Sequence, residues 1–358
     1  MGLSGGVDSA VAAADLLGKG YKVGGLYIRH GFPARDEADA EAVAARLDIP
    51  LYKLDVSGEF RREVVDYFVS EYLAGRTPNP CCVCNKRIKF RHLLLEAGKQ
   101  GFDLVATGHY AREGYDVNAR KYTLCRGADA VKDQSYFLFM LGQRELGRIL
   151  FPNGDRTKKE VRSKAIELGL GDRPFRDSQE ICFIPDDNYK RFIRQMRPDL
   201  KATPGNFVDR HGKILGGHRG IHSYTVGQRR GLSIASTAPY YVLEIDPEKN
   251  EVVLGREDEQ ASDGLVAAAV SWVSGESMPD EGLEATTKIR YRHSGVESTI
   301  VPLCSAGVSL SLTDLAAADD RSVLVRFSRP QKAVTPGQAA VFYRGSCVLG
   351  GGWIVRGF

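Results

Sequence analysis

No stretch of this 358-residue sequence approaches the roughly 18 consecutive apolar residues that cross a bilayer, which excludes an integral membrane protein built on helices. The first residues, Met1 to Gly6, lack a basic start followed by an apolar stretch, so no secretory leader is expected. An excess of one charge is also missing. Forty-nine Lys and Arg stand against 45 Asp and Glu, and the resulting +4 neither requires nor rules out a nucleic-acid partner. There is no internal repeat and no low-complexity tract. Seven cysteines is an odd count in a long leaderless chain, which argues against a disulfide framework and for a reducing cytosol. What remains is the composition of a soluble globular protein, 43% hydrophobic and 26% charged. At about 150 residues per domain its length predicts two or three domains.

Residues 1–112 alternate between helical and extended patterns. Residues 7–17 carry small and apolar side chains at helical spacing and stop at Gly18 and Gly20. Residues 21–28 read as a strand, 36–47 as an Ala-rich helix and 51–56 as a strand. A helix follows over 57–73 with Ser57 as N-cap, then a helix over 87–99 and an apolar strand over 102–107. This rhythm predicts an α/β domain, a Rossmann-like parallel sheet with flanking helices, over residues 1–186. A small central domain, rich in Gly and basic residues, is expected over 187–256. Short alternating strands over 286–292, 297–303, 322–327, 339–343 and 348–355 predict a C-terminal antiparallel β-barrel over 257–358. One feature is odd. A strand normally delivers the chain into a phosphate-binding glycine loop, yet only three residues precede Ser4. The expectation is that a first strand begins upstream of Met1.

Ser4-Gly5-Gly6-Val7-Asp8-Ser9 opens the first helix. Glycines let a ligand approach the backbone, the helix N-terminus offers free N–H groups and positive dipole, and the serines add hydroxyls. Asp8 is suited to hold Mg²⁺ bound to pyrophosphate. No Gly-Lys-Ser/Thr follows, so γ-phosphate transfer is not expected. The string SGGVDS resembles the PP-loop of ATP pyrophosphatases. That resemblance implies cleavage of ATP between the α and β phosphates, with adenylation of a substrate oxygen and its displacement by a nucleophile.

Cys81, Cys82 and Cys84 lie in the stiff segment Arg76-Thr77-Pro78-Asn79-Pro80-Cys81-Cys82-Val83-Cys84. A nearby helix N-terminus and Lys86, Arg87, Lys89 and Arg91 are expected to lower the thiol pKa. Cys182, between Ile181 and Phe183, reads in isolation as core, as do Cys125, Cys304 and Cys347.

SGGVDS, GRTPNPCCVCNKRIKF, ATGHYAR, KDQSYFL, SQEICFI, YTVGQRRGL and KIRYR occur in this order along the chain. Together they closely resemble the tRNA-specific 2-thiouridylase family. The resemblance implies ATP-dependent adenylation of O2 of the wobble uridine, followed by sulfur transfer that releases AMP and pyrophosphate. It makes Cys84 the nucleophile and Cys182 the carrier of a persulfide. The nucleotide would be held by Gly2, Leu3, Ser4, Gly5, Gly6, Val7, Asp8, Ser9, Ile28 and Gly108. Asn79, Pro80 and Cys81 would line the target base, with His109 beside it. Lys132, Asp133, Gln134, Arg290, Tyr291 and Gln338 would contact the tRNA. A sulfur-carrier protein or sulfide donor is the implied second partner.

One departure matters. Many family members carry an acidic residue at the position of Cys81. Three thiols, Cys81, Cys84 and Cys182, leave a second source of sulfur open: a [4Fe–4S] cluster ligated by three cysteines, with one iron free for sulfide. Persulfide relay and cluster-bound sulfide stand side by side at this point, and Cys82 is a spare thiol.

The central segment adds independent support for RNA. Residues 186–231 hold ten basic and four acidic side chains, a net +6, so the rest of the chain is slightly acidic. Charge concentrated in this way is a phosphate-binding footprint. Tyr224 and nearby histidines offer stacking surfaces. Two other classes compete: a PP-loop ligase or amidotransferase acting on a small molecule, and a non-catalytic RNA-binding adaptor. Neither needs the cysteines and an intact glycine loop together.

Overall fold

The computed structural model describes residues 1–32, 37–170, 181–200, 203–305 and 321–358. Asp36, Lys201 and the SQE part of the SQEICFI motif lie outside the described residues.

The N-terminal domain begins with α1 (Val7–Gly18), which buries Ala10, Val11, Ala12, Ala13 and Leu16. It continues through β1 (Gly25–Arg29), α2 (Glu37–Arg46) and β2 (Leu51–Asp55). Next come α3 (Ser57–Phe60), a π-helical turn Arg61–Val65 and α4 (Asp66–Leu73), one continuous helix over 57–73 as predicted. The following helix starts earlier than the sequence suggests. It runs from α5 (Pro80–Val83) through a π-helical segment Cys84–Phe90 into α6 (Arg91–Lys99). Proline is well suited to a first helical turn, where its missing N–H costs nothing, and the cysteines therefore lie inside the helix rather than before it.

β3 (Val105–Ala106) is shorter than the apolar run that predicts it. A hairpin, β4 (Ala111–Asp116) and β5 (Lys121–Arg126), follows, then α7 (Gln143–Leu146), β6 (Ile149–Leu150) and α8 (Lys158–Glu167). β1 pairs with β2 and β3 with β6, both in parallel. Residues 1–3 occupy the slot between these two pairs. Gly2 bridges Leu26 in parallel, Leu26 N donates to Met1 O (2.7 Å), and Gly2 N donates to Ala106 O (2.9 Å). The three residues before the glycine loop thus follow the path of the strand that such a loop requires.

The central region contains α9 (Tyr189–Met196) and four strands: β7 (Gly205–Val208), β8 (Ile214–His218), β9 (Tyr241–Asp246) and β10 (Glu251–Gly255). Their order is β8-β7-β10-β9, with β7 and β10 parallel.

Six antiparallel strands close the C-terminal barrel: β11 (Ala261–Trp272), β12 (Leu283–Lys288), β13 (Val296–Pro302), β14 (Val323–Lys332), β15 (Ala339–Arg344) and β16 (Cys347–Gly357). Closure comes from pairing of the long β11 with both β14 and β16. Ser271 and Ala267 of β11 lie opposite Gly351 and Ile354. Phe90, Leu124, Tyr136 and Phe139 share one core with Val341 and Tyr343 of the barrel, so the two outer domains are packed as a unit.

Three cysteines read as core depart from that expectation. Cys304 is exposed. Cys125 of β5 and Cys347 of β16 lie opposite each other where the hairpin joins the barrel, and they form a disulfide. Antiparallel register, invisible as spacing across 222 residues of sequence, brings the two thiols together. One cross-link is not a framework, but it corrects the reading of Cys125 and Cys347 as core residues. No helix among the described residues is long and apolar enough to cross a membrane.

Candidate active site

The glycine loop is braced by its own serines. Ser9 Oγ donates to Gly6 O (2.8 Å), Ser4 N donates to Ser9 Oγ (3.3 Å), and Gly6 N donates to Ser4 Oγ (3.4 Å). Gly5 has φ +73°, and a Cβ there would stand 2.8 Å from Ala40 N, so both conformation and space demand glycine. Gly108, just after β3, is constrained by space alone. A Cβ on it would lie 2.6 Å from both the carbonyl carbon and oxygen of Asp8. This brings the first turn of α1 and the loop after β3 into backbone contact, at the sheet edge where open α/β folds bind ligands.

Asn153 fastens that contact. It is fully buried, and its Nδ2 donates to the carbonyls of Asp8 (2.9 Å) and Gly108 (3.1 Å). The Asp8 carboxylate is also engaged. It accepts from Tyr110 Oη (2.7 Å) and takes Lys158 Nζ on both oxygens (2.7 and 2.8 Å). Lys158 is the first residue of α8, whose start is set by a capping box between Thr157 and Glu160. The sequence reading missed Asn153 and Lys158. Thr-Lys-Lys-Glu was the available signal, since it marks a helix start.

The cysteines occupy a second cluster. Cys82 is buried. Cys81 and Cys84 are half-buried, and Cys182 lies on an exposed turn. That turn is anchored by Phe183, which meets Phe60 and Phe68 edge-on at 5.6 and 5.5 Å in an aromatic cluster. Although 98 residues separate Cys84 from Cys182, their thiols feel each other electrostatically, together with Cys81.

The expected lowering of the thiol pKa is reversed. Burial raises Cys81 and Cys84 to about 12, and the surrounding protein pushes Cys182 up as well, although its side chain reaches the surface. Three of the four nearby cations face other partners: Lys86 binds Glu145 (2.6 Å), Arg87 binds Glu63 (2.7 Å) and Arg91 meets Glu59 (4.0 Å). Lys89 is the cation that opposes the effect of burial on all three reactive thiols. Lys89 Nζ also lies 3.3 Å from His109 Nε2. An ammonium only donates, so Nε2 is the acceptor and Nδ1 carries the proton, which it donates to Thr107 Oγ1 (2.7 Å). Burial, and then Lys89, hold the His109 pKa well below its ordinary value, so the ring is neutral.

The remaining predicted residues divide between the interior and the surface. Asn79 and Pro80 are buried at the start of the cysteine helix, and Ile28 packs between the two main N-terminal cores. Gln134 is tied to Tyr110, accepting from its N–H (3.0 Å) and donating to its carbonyl (2.8 Å). Asp133 is buried and accepts from Gly127 N, Ser135 N and Ser135 Oγ, an internal brace and not an exposed contact. Gln338 reaches out of the barrel to donate to Thr77 O and Pro78 O. Lys132 is partly exposed, Arg290 is exposed, and Tyr291 stands 4.5 Å from the ring of Phe137.

In the central region Lys190 lies 5.6 Å from the Tyr224 ring. Tyr224 itself is buried against Phe207 and His218, so it does not offer the stacking surface expected of it.

Neither metal group finds a ready site. Among the described residues no three His, Cys, Asp or Glu side chains converge to hold a metal ion. The three cysteines therefore do not form a cluster site in this arrangement. The Asp8 carboxylate is occupied by Lys158 and Tyr110.

Residues 1–186 match the family model described as tRNA methyl transferase HUP domain. Residues 190–256 match tRNA methyl transferase PRC-barrel domain, and 262–354 match Aminomethyltransferase beta-barrel domain. The chain is 52% identical over 337 residues to tRNA-specific 2-thiouridylase MnmA 2 of Syntrophus aciditrophicus, covering 93% of this chain and 98% of that one. It is 47% identical over 370 residues to the tRNA-specific 2-thiouridylase MnmA of Geotalea uraniireducens, covering 98% and 93%. The corresponding protein of Heliobacterium modesticaldum is 45% identical over 368 residues, covering 99% and 91%. With its three regions matched in order and relatives aligned almost end to end, the chain belongs to the tRNA-specific 2-thiouridylase MnmA family.

Proposed function

We propose that this chain is a tRNA-uridine 2-sulfurtransferase that adenylates O2 of the wobble uridine and replaces it with sulfur. Uridine O2 attacks the α-phosphorus of ATP and pyrophosphate leaves. The outer sulfur of a Cys182 persulfide then attacks C2, and the C2–O2 bond breaks as AMP departs. Cys84 thiolate attacks the inner sulfur of Cys182, which breaks the S–S bond and leaves the thiocarbonyl on the base. The resulting Cys84–Cys182 disulfide is returned to two thiols by an external dithiol, which supplies two electrons.

The observation that carries this reading is the packing of Ile181 and Phe183, on either side of Cys182, into one core with Val83, Cys84 and Ile88 of the cysteine helix, while Lys89 of that helix binds His109 next to Gly108. This arrangement links the sulfur cluster to the nucleotide loops through two adjacent residues. It also supports His109, neutral and held by Thr107, as a neighbour of the target base. High thiol pKa values suit a waiting state, in which the thiols stay protonated until substrate and donor arrive. A glycine loop and a pair of cysteines packed against one core are parts that sulfur transfer needs and methyl transfer does not.

Mg²⁺ would accompany the phosphates of ATP and offset their charge. The residues present do not offer it a prepared protein site, and none is offered to an iron–sulfur cluster, so no step is derived through either. The partly exposed Lys132, exposed Arg290 and the basic residues concentrated in the central segment support tRNA binding, and a sulfur-carrier protein or sulfide donor loads Cys182. A cytoplasmic location is part of the same reading, supported by the tRNA substrate.

ATP–pyrophosphate exchange tests the reading. Exchange should require tRNA. A small-molecule ligase would exchange with its own substrate alone, and an adaptor would not exchange. Iron and sulfide analysis after anaerobic purification separates the sulfur sources. Activity from a persulfide donor in iron-free protein supports the relay, and stoichiometric iron required for activity contradicts it.

A further inference from the structure

The geometry points to Lys158 as the cation that meets the leaving pyrophosphate, with Asp8 acting as the residue that positions it. This rests on the reading of SGGVDS as the nucleotide loop and assigns that loop a new partner.

Four segments converge on Asp8: the glycine loop, Tyr110 after β3, Asn153, and the start of α8. The Lys158 side chain is 12% exposed, while that of Asp8 is 37% exposed. The ammonium is therefore held at depth, and the carboxylate lies on the open side. Both oxygens of Asp8 grip Nζ, and Tyr110 Oη adds a third hydrogen bond to the same carboxylate. The Asp8 carboxylate thus fixes the ammonium beside the N-terminus of α1.

Two helices bring their positive ends to this point. α8 has ten residues, its Thr157–Glu160 box fixes the starting turn, and Val11 of α1 packs with Val161 and Ala165 of α8. Asn153 holds the Asp8 carbonyl, and its own Oδ1 is buried without a protein partner among the described residues. Unpaired polar capacity beside a nucleotide loop is consistent with a ligand completing the network.

During adenylation the bond from the α-phosphorus to the bridging oxygen breaks, and the bond from uridine O2 to that phosphorus forms. The departing pyrophosphate keeps the electron pair. Negative charge grows on it as the bond breaks, and a positioned ammonium stabilises that charge more than the ground state. Asp8 keeps the long Lys158 side chain in place. This differs from the expectation that Asp8 ligates Mg²⁺ directly.

Calorimetric titration of inorganic pyrophosphate into the full chain, with Mg²⁺ and with a chelator, separates the two roles. AMP binding serves as the control. Without metal, Lys158→Met should weaken pyrophosphate binding by about 10- to 100-fold and leave AMP binding unchanged. Lys158→Arg should keep most of the affinity. Asp8→Asn should weaken binding in both buffers, and the Asp8→Asn/Lys158→Met double variant should be no worse than Lys158→Met alone. Unchanged pyrophosphate affinity in Lys158→Met would overturn the inference, as would an Asp8→Asn defect seen only with Mg²⁺. If Lys158→Met does not fold, a Lys158→Arg variant that loses AMP and pyrophosphate equally marks a purely structural role and overturns it too. Wild-type protein that binds neither AMP nor pyrophosphate would instead refute the nucleotide site itself.

Discussion

Gln338 Nε2 donates to the carbonyl of Thr77 at 3.0 Å, joining the barrel to the loop that precedes the reactive cysteines 261 residues earlier. The same amide donates to Pro78 O (3.1 Å), and Thr77 N returns a bond to Pro336 O (2.8 Å). The C-terminal domain therefore holds the cysteine helix by its N-terminal lead. Gln338→Ala should remove about 1–2 kcal/mol of stability and lower kcat for thiolation more than it raises KM for tRNA. An effect confined to KM for tRNA would return Gln338 to the role of a direct contact.

Gly108 has no room for a side chain. Gly108→Ala should push the loop after β3 away from Asp8 and cost about 1–3 kcal/mol. ATP affinity should fall more than tRNA affinity, measured by equilibrium binding of each ligand alone.

Thiol reactivity has a defined pH course. Cys84 is raised to about 12 by burial, so its thiolate fraction, and with it the alkylation rate, should climb about tenfold per pH unit up to pH 9 without a plateau. Lys89 pulls in the opposite direction, so Lys89→Met should slow alkylation of Cys84 at every pH in that range. Stability follows the same sign. The folded protein holds the proton more tightly than the unfolded chain, so unfolding free energy should fall as pH rises from about 9 towards 12. A plateau in alkylation near neutral pH would contradict the buried thiol.

The Cys125–Cys347 bridge predicts a thiol count. Denatured without reductant, the chain should titrate five thiols, and after reduction seven. Cys304, exposed, should react early in the native protein, while buried Cys82 should react only on unfolding. Cys347→Ser should cost roughly 2–4 kcal/mol while leaving thiolation chemistry in place.

Most of the architecture was readable in the sequence where a periodic pattern coincided with a local signal. The glycines at 5 and 6 announced the loop and small residues spaced along 7–17 announced α1, whereas Ser57, expected as the N-cap of the next helix, is its first helical residue and Val56 holds the cap position without a side-chain hydrogen bond. The pattern failed where tertiary pairing set the outcome. β11 was missed because Leu265, Val266, Ala267 and Ala268 are all buried and show no alternation. The apolar run over 102–107 shrank to Val105–Ala106 because only those residues find partners in β6. The disulfide depended on register between distant strands. In the candidate site, the motifs drew attention to the glycine loop and the cysteine segment, but their electrostatics were not legible. Lys86, Arg87, Lys89 and Arg91 look alike along the chain, and only folding pairs three of them with glutamates and leaves Lys89 facing the thiols. Asn153 and Lys158 act through contacts with Asp8 that no local pattern reveals.

Nucleoside mass spectrometry of tRNA after reaction with ATP and a persulfide donor tests the central claim most directly. Wild-type protein should convert the wobble uridine to 2-thiouridine, while Cys84→Ser and Cys182→Ser, each still binding ATP, should form none. Full thiolation by either variant would contradict the account.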